Sequence, residues 1–224
     1  DGEGKPDISA QAEATQMKRY GVPGRWYAWG QYKDRFNIDK EPNEPNRFGW
    51  IVEVDPRNPA ATPIKHTALG RFRHEGAETT VASDGKLVIY TGDDIRFDYQ
   101  YKYVSDRSVT DNESFGSDLL TNGTLYAARF DADGTVTWLP LVHGQGPLTA
   151  ENGFDSQADV MIDTRLAADA LGATPMDRPE DAQPRRDGTA YIMLPTNSRR
   201  PADQVDAANP RAESRFGHII EIKE

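Results

Sequence analysis

Apolar positions come in short runs separated by turn signals, and from residue 49 onward this pattern predicts strands rather than helices. The clearest strands are Trp50–Val54, Lys86–Tyr90, Tyr99–Val104, Leu125–Phe130, Val136–Leu141, Ala190–Leu194 and His218–Ile222. Asp84-Gly85 separates Thr79–Ala82 from Lys86–Tyr90 and suits a tight hairpin. Asp131-Ala132-Asp133-Gly134 predicts a second hairpin with a four-residue loop. Helical spacing is confined to two places. Ser9 to Tyr20 predicts a short helix with Ser9 as N-cap and Gly21 as stop, and Asp163–Leu171 a second, ending at Gly172. Residues 1–48 are polar with interleaved aromatics and form one expected segment; residues 49–224 form the β-rich remainder. Trp26, Trp29, Trp50 and Trp138 are expected to pack.

The strand openers repeat. Arg47-Phe48-Gly49-Trp50-Ile51-Val52-Glu53-Val54 is similar to Arg215-Phe216-Gly217-His218-Ile219-Ile220-Glu221-Ile222, and Gly123-Thr124-Leu125-Tyr126 opens a third strand of the same type. Two Asp-Gly strands alternate with them, beginning at Asp84-Gly85 and Asp187-Gly188. Repeated sheets with variable loops predict an all-β fold of the β-propeller type, with long loops and short helices. The chain stops within its last opener, so it is expected to be part of a larger, incomplete propeller.

Composition narrows the function. The 224 residues carry 26 Lys plus Arg against 36 Asp plus Glu, a net charge of −10, which argues against a nucleic-acid binder with its basic stripe. Cysteine is absent, which removes disulfides and a thiol nucleophile from this chain. No apolar run of about 18 residues spans a membrane. Asp1-Gly2-Glu3-Gly4 is not a signal peptide and reads as an internal start.

Three segments carry candidate chemistry. His74-Glu75-Gly76-Ala77-Glu78 puts carboxylates beside a glycine, and carboxylates suit hard cations such as calcium and ferric iron. Met176-Asp177-Arg178-Pro179-Glu180-Asp181 sets three carboxylates around an arginine. Pro179 biases Arg178 toward an extended backbone, which would point Arg178 and Glu180 the same way. A guanidinium beside a metal-held carboxylate makes a planar phosphate clamp. Aligning Asp84 on Asp187 places Glu75 on Arg178 and Ala77 on Glu180, so both segments occupy the same stretch of successive repeats. Gly92-Asp93-Asp94-Ile95-Arg96-Phe97-Asp98 is a secondary calcium candidate through Asp93 and Asp94, with Asp177 a further possible ligand. His66, His143 and His218 are expected to be structural or exposed. The residues alone point to a shared cation site beside a phosphate clamp; a non-catalytic propeller that binds calcium or a partner is the alternative to an enzyme built on that site.

Phe48-Gly49-Trp50-Ile51-Val52-Glu53-Val54-Asp55-Pro56, the stretch from Thr67 to Ala77, Tyr90-Thr91-Gly92-Asp93-Asp94, the stretches Tyr99–Ser105 and Gly123–Phe130, Thr174-Pro175-Met176-Asp177-Arg178-Pro179-Glu180, and Gly217-His218-Ile219-Ile220-Glu221 form an ordered series. Together these motifs resemble one family, the PhoX-type alkaline phosphatases. The resemblance runs from about Tyr20 to the C-terminus. It implies a six-bladed propeller that hydrolyses phosphate monoesters with ferric iron and calcium, as a monomer in the periplasm or secreted. It implies metal ligation by Glu75 and Glu180 and a phosphate contact by Arg178. The family's iron-binding cysteine lies in an upstream segment and further carboxylate ligands in later blades. The chain is therefore expected to be an internal piece that does not hold the whole cluster by itself.

Overall fold

The computed structural model describes residues 8–24, 26–110 and 112–224. The first four residues, read above as an internal start, lie outside them. The chain divides into two compact units, one ending at Gly49 and one spanning Trp50–Glu224.

In the first unit, α1 is shorter than its sequence suggests, Ala14–Tyr20 rather than Ser9–Tyr20. The preceding residues are spent in turns, with the Gln11 N–H on the Ile8 carbonyl and the Ala14 N–H on that of Gln11, so the N-cap position falls on Glu13 rather than Ser9. The stop is as expected. Gly21 takes φ 70, its N–H closes on the Lys18 carbonyl, and that conformation favours a residue without Cβ. Tyr27 stacks on Trp29 with 5.3 Å between ring centroids, Trp29 meets Phe36 at 5.4 Å, and the Arg35 guanidinium lies over Phe36 and Phe48. These rings do not form a buried core. Trp26 is 91% exposed and Trp29 55%, contrary to the expectation that both pack.

The second unit is mostly β. Strand β1 (Ile51–Glu53) pairs antiparallel with β2 (Ile64–His66). A five-stranded antiparallel meander follows: β3 (His74–Val81), β4 (Lys86–Asp93), β5 (Gln100–Ser108), β6 (Gly123–Phe130) and β7 (Val136–Pro140). Two short helices come next, α2 (Gln157–Ile162) and α3 (Thr164–Leu171). The last sheet holds β8 (Ala182–Pro184), β9 (Thr189–Leu194) and β10 (His218–Lys223) in the order β10-β9-β8. The Ser156 side chain accepts the Asp159 N–H to cap α2, and Gly172 ends α3 in the left-handed conformation.

The repeated turn chemistry is realised. Asp84, Asp133 and Asp187 each accept, through Oδ1, the N–H of the residue two further on, at 3.0–3.1 Å. The glycine between has φ of 85°, 87° and 85°. Each turn joins two antiparallel strands, because the aspartate replaces a backbone acceptor while glycine supplies the positive φ. The two Asp-Gly strands, β4 and β9, are thus second strands of equivalent hairpins.

Strand β4 is buried on both faces, which explains its unbroken apolar run. Ile89 joins Leu69, Phe72, Tyr101, Tyr103 and Leu125 in a cluster that includes Val160, Met161, Ala167 and Ala168 of the helices. Val88 and Tyr90 point the other way and pack with Ala182, Ala190, Ile192 and Ile222 of the last sheet. Each fully buried side chain of this size contributes about 1.5–3 kcal/mol relative to exposure. No helix among the described residues is long and apolar enough to cross a membrane.

Candidate metal and phosphate site

Two segments far apart in sequence meet at one end of the β3–β4 hairpin. The pairing of β3 and β4 sets His74 opposite Asp93 and Glu75 opposite Gly92, with an irregularity between Glu75 and Glu78. Asp94 follows β4 directly, its N–H on the Arg73 carbonyl at 3.1 Å. The Asp-Arg-Pro-Glu segment then crosses this end. Its near side is pinned to the β4–β5 connection: the Phe97 N–H donates to the Met176 carbonyl at 2.8 Å and the Met176 N–H to that of Asp98 at 2.9 Å. Its far side enters β8, with the Glu180 N–H on the Met193 carbonyl at 3.0 Å.

Gly92 permits the crossing. A Cβ there would stand 2.1 Å from the Pro179 carbonyl oxygen and 2.7 Å from that of Glu180. Gly92→Ala is therefore expected to push the Arg178–Glu180 backbone off the hairpin and to cost about 1–3 kcal/mol, the usual range for overpacking. Urea denaturation measures it, and an unchanged midpoint would contradict this packing.

The crossing brings the expected residues together. Arg178 Nη2 lies 2.7 Å from Glu180 Oε1 and 2.8 Å from Asp94 Oδ1. Glu75 and Asp181 add to the field at Glu180. Burial pushes the Glu180 carboxyl above the ordinary carboxylate value; the negative charge of Asp94 adds to this, and Arg178 opposes it. Two carboxylates thus share one guanidinium, and the charges of Glu75 and Asp181 add to the excess at Glu180, which a bound cation would relieve. Next to Glu75, burial drives the His74 imidazole down to about 4, so it is neutral near pH 7. Its ring nitrogens lie 3.0 Å from Thr91 Oγ1 and from the Gly70 carbonyl oxygen.

One local expectation is corrected. Arg178 is not extended; its φ is 62°, in the left-handed region. It meets Glu180 by a different backbone path from the alternation of an extended chain.

Of the secondary candidates, Asp94 is at this site, and Asp93 and Asp177 lie deeper. Asp93 is completely buried, and its carboxylate receives Arg165 of α3 through two bonds of 2.7 Å. Asp177 is also completely buried and accepts from Asn197 Nδ2 at 2.8 Å and Arg200 Nε at 2.6 Å. Arg165 and Arg200 escape a reading of the sequence, because each pairs with an aspartate 72 or 23 residues away and no local pattern marks it. The histidines are as expected. His66 Nε2 lies 2.7 Å from Glu53, His218 Nε2 contacts the Ala208 carbonyl at 2.7 Å, and His143 is exposed.

Carboxylate oxygens are the hard donors that calcium and ferric iron take, and the crowding at Glu180 fits a cation site. Among the described residues no group of three His, Asp or Glu side chains is arranged to hold a metal ion by itself. Glu75 and Glu180 therefore fit as part of a donor set.

The sequence profile described as Alkaline phosphatase PhoX matches residues 2–224. Comparison with curated proteins gives no match. Among solved structures, Pseudomonas fluorescens PhoX in complex with vanadate, a transition state analogue, is similar over 98% of this chain, at 41% identity and a TM-score of 0.86. The chain covers 39% of that structure's length. With a family match across nearly the whole chain and a close structural relative, the chain belongs to the alkaline phosphatase PhoX family.

Proposed function

We propose that this chain is part of a secreted or periplasmic enzyme that hydrolyses phosphate monoesters, with Arg178 as its phosphate contact. The observation that carries the reading is the pairing of Arg178 with Glu180 and Asp94, inside a fold similar to a PhoX that holds vanadate. Calcium and ferric iron are the proposed cofactors, and Glu75 and Glu180 would hold them, with Asp94 a further candidate. When bound, such ions supply Lewis-acid neutralisation of phosphoryl oxygens.

The protein's own part is positioning and charge. A guanidinium offers a planar fork of donors that matches phosphoryl oxygens. Arg178 would donate to the oxygens that gain charge in the transition state, held in place beforehand by Glu180 and Asp94. Neutral His74 would add no competing positive charge at the edge of the site. The hairpin equivalence of β3–β4 and β8–β9 supports the further proposal that these sheets are neighbouring blades of a six-bladed propeller, in a monomer.

The direct test is hydrolysis of p-nitrophenyl phosphate by the full-length protein, before and after a chelator. Activity that the chelator abolishes is the expected result; no hydrolysis by metal-loaded protein would overturn the proposal. Glu75→Gln and Glu180→Gln are each expected to lower bound calcium or iron, measured by elemental analysis. Wild-type metal content in both variants would remove them as ligands.

A further inference from the structure

Arg178 occupies a backbone region that a long side chain adopts only when its surroundings impose it. A proline follows it, which narrows its freedom further. The residues on either side show how it is held. After Arg178, the backbone of Pro179 and Glu180 lies against Gly92 and bonds to Met193. Before it, Asp177 is gripped by the segment between β9 and β10. Its carboxylate accepts from Asn197 and Arg200, and its N–H donates to Asn209 Oδ1 at 3.1 Å.

The gripping residues are themselves fixed. Arg200 donates Nη2 to the Pro175 carbonyl at 2.6 Å and Nη1 to the Gln204 carbonyl at 2.7 Å, and its guanidinium lies 5.2 Å from the Phe97 ring centroid. Asn209 donates Nδ2 to the Pro175 carbonyl at 3.2 Å and to Asp206 at 3.0 Å. Asn197, Arg200 and Asn209 are all buried. A buried ion pair is a poor source of net stability, because desolvation offsets most of the attraction. A fixed geometry is what such a network provides, and the geometry fixed here is the backbone next to Arg178.

We infer that Asp177, Asn197, Arg200 and Asn209 are positioning residues for Arg178: they clamp the preceding peptide so that its guanidinium stands ready for phosphate. The inference rests on the reading of Arg178 given above. Its action runs through the backbone, so removing a clamp residue misplaces Arg178 without removing it.

A double-mutant cycle in the full-length, metal-loaded protein tests this, with p-nitrophenyl phosphate as substrate and vanadate as inhibitor. Asn209→Ala is expected to lower kcat by about tenfold or more and to weaken vanadate inhibition by a similar factor. In an Arg178→Ala background, Asn209→Ala should change kcat by less than about twofold, because the group it positions is gone. Equal losses in both backgrounds, or unchanged vanadate inhibition by Asn209→Ala, would overturn the inference. If Asn209→Ala does not fold, Asn197→Ser enters the same cycle. An Arg178→Ala variant of wild-type activity would instead bring down the reading of Arg178 and the inference with it. Loss on Arg178→Ala with none on Asn209→Ala would bring down the inference alone.

Discussion

Arg165→Met is expected to lower folding stability by about 3–5 kcal/mol, the usual effect of breaking a buried ion pair from one side. Arg165 projects from α3 to the end of β4. There it bonds both oxygens of Asp93 at 2.7 Å and lies 3.6 Å from Asp98 Oδ2. Both aspartates are buried. Methionine fills comparable space but supplies no charge, so two buried carboxylates lose the charge of Arg165. A folded domain has only about 5–15 kcal/mol to lose. Guanidinium chloride denaturation measures the effect, and a change under about 1 kcal/mol would mean that the pair is not a structural strut. Adding Asp93→Leu to Arg165→Met is expected to recover part of the loss, since it removes one of the two buried carboxylates that faced Arg165.

The second large effect falls on activity. Arg178→Ala in the full-length enzyme is expected to lower kcat by about 10²–10³, or about 2.7–4 kcal/mol of transition-state stabilisation. Arg178→Lys keeps the charge but loses the planar fork, so it should recover only part of the rate. The side chain is a quarter exposed, so the thermal midpoint should move far less than in Arg165→Met. Activity within about twofold of wild type would remove Arg178 from the chemistry.

Much of the β framework is legible in the residues themselves. Each of the seven strands expected from short apolar runs is present, because alternation and turn chemistry are local properties. Asp84-Gly85 and Asp187-Gly188 declare equivalent hairpins, since aspartate and glycine solve the same turn twice. The elements missed are brief. Strands β2 and β8 have three residues each and α2 six, too few to build a periodic signal. His74–Glu78 lies within β3, so the strand begins well before the Thr79–Ala82 run that marks it in the sequence.

Within the candidate site the division is different. The register that aligns Asp84 with Asp187 places the Glu75 and Arg178–Glu180 segments in equivalent stretches, and the fold brings them together. The apposition is not read from that register alone: Gly92 must lack a Cβ for the crossing to occur, and Asp94 must follow β4 to reach Arg178.

Residue chemistry along the chain is sufficient to name strands, turns and candidate ligands, because propensity and side-chain donors belong to short stretches. Which aspartates carry buried arginines, and how Arg178 is turned, depend on partners from distant segments. Asp93 and Asp94 are adjacent in sequence, yet one is sealed against Arg165 and the other meets Arg178. Asp177 and Glu180 divide in the same way, one buried under Arg200 and one beside the guanidinium. Both members of each pair carry the same charge and lie within one short motif. Burial and the approach of remote side chains separate their roles, and both arise only when the sheets pack.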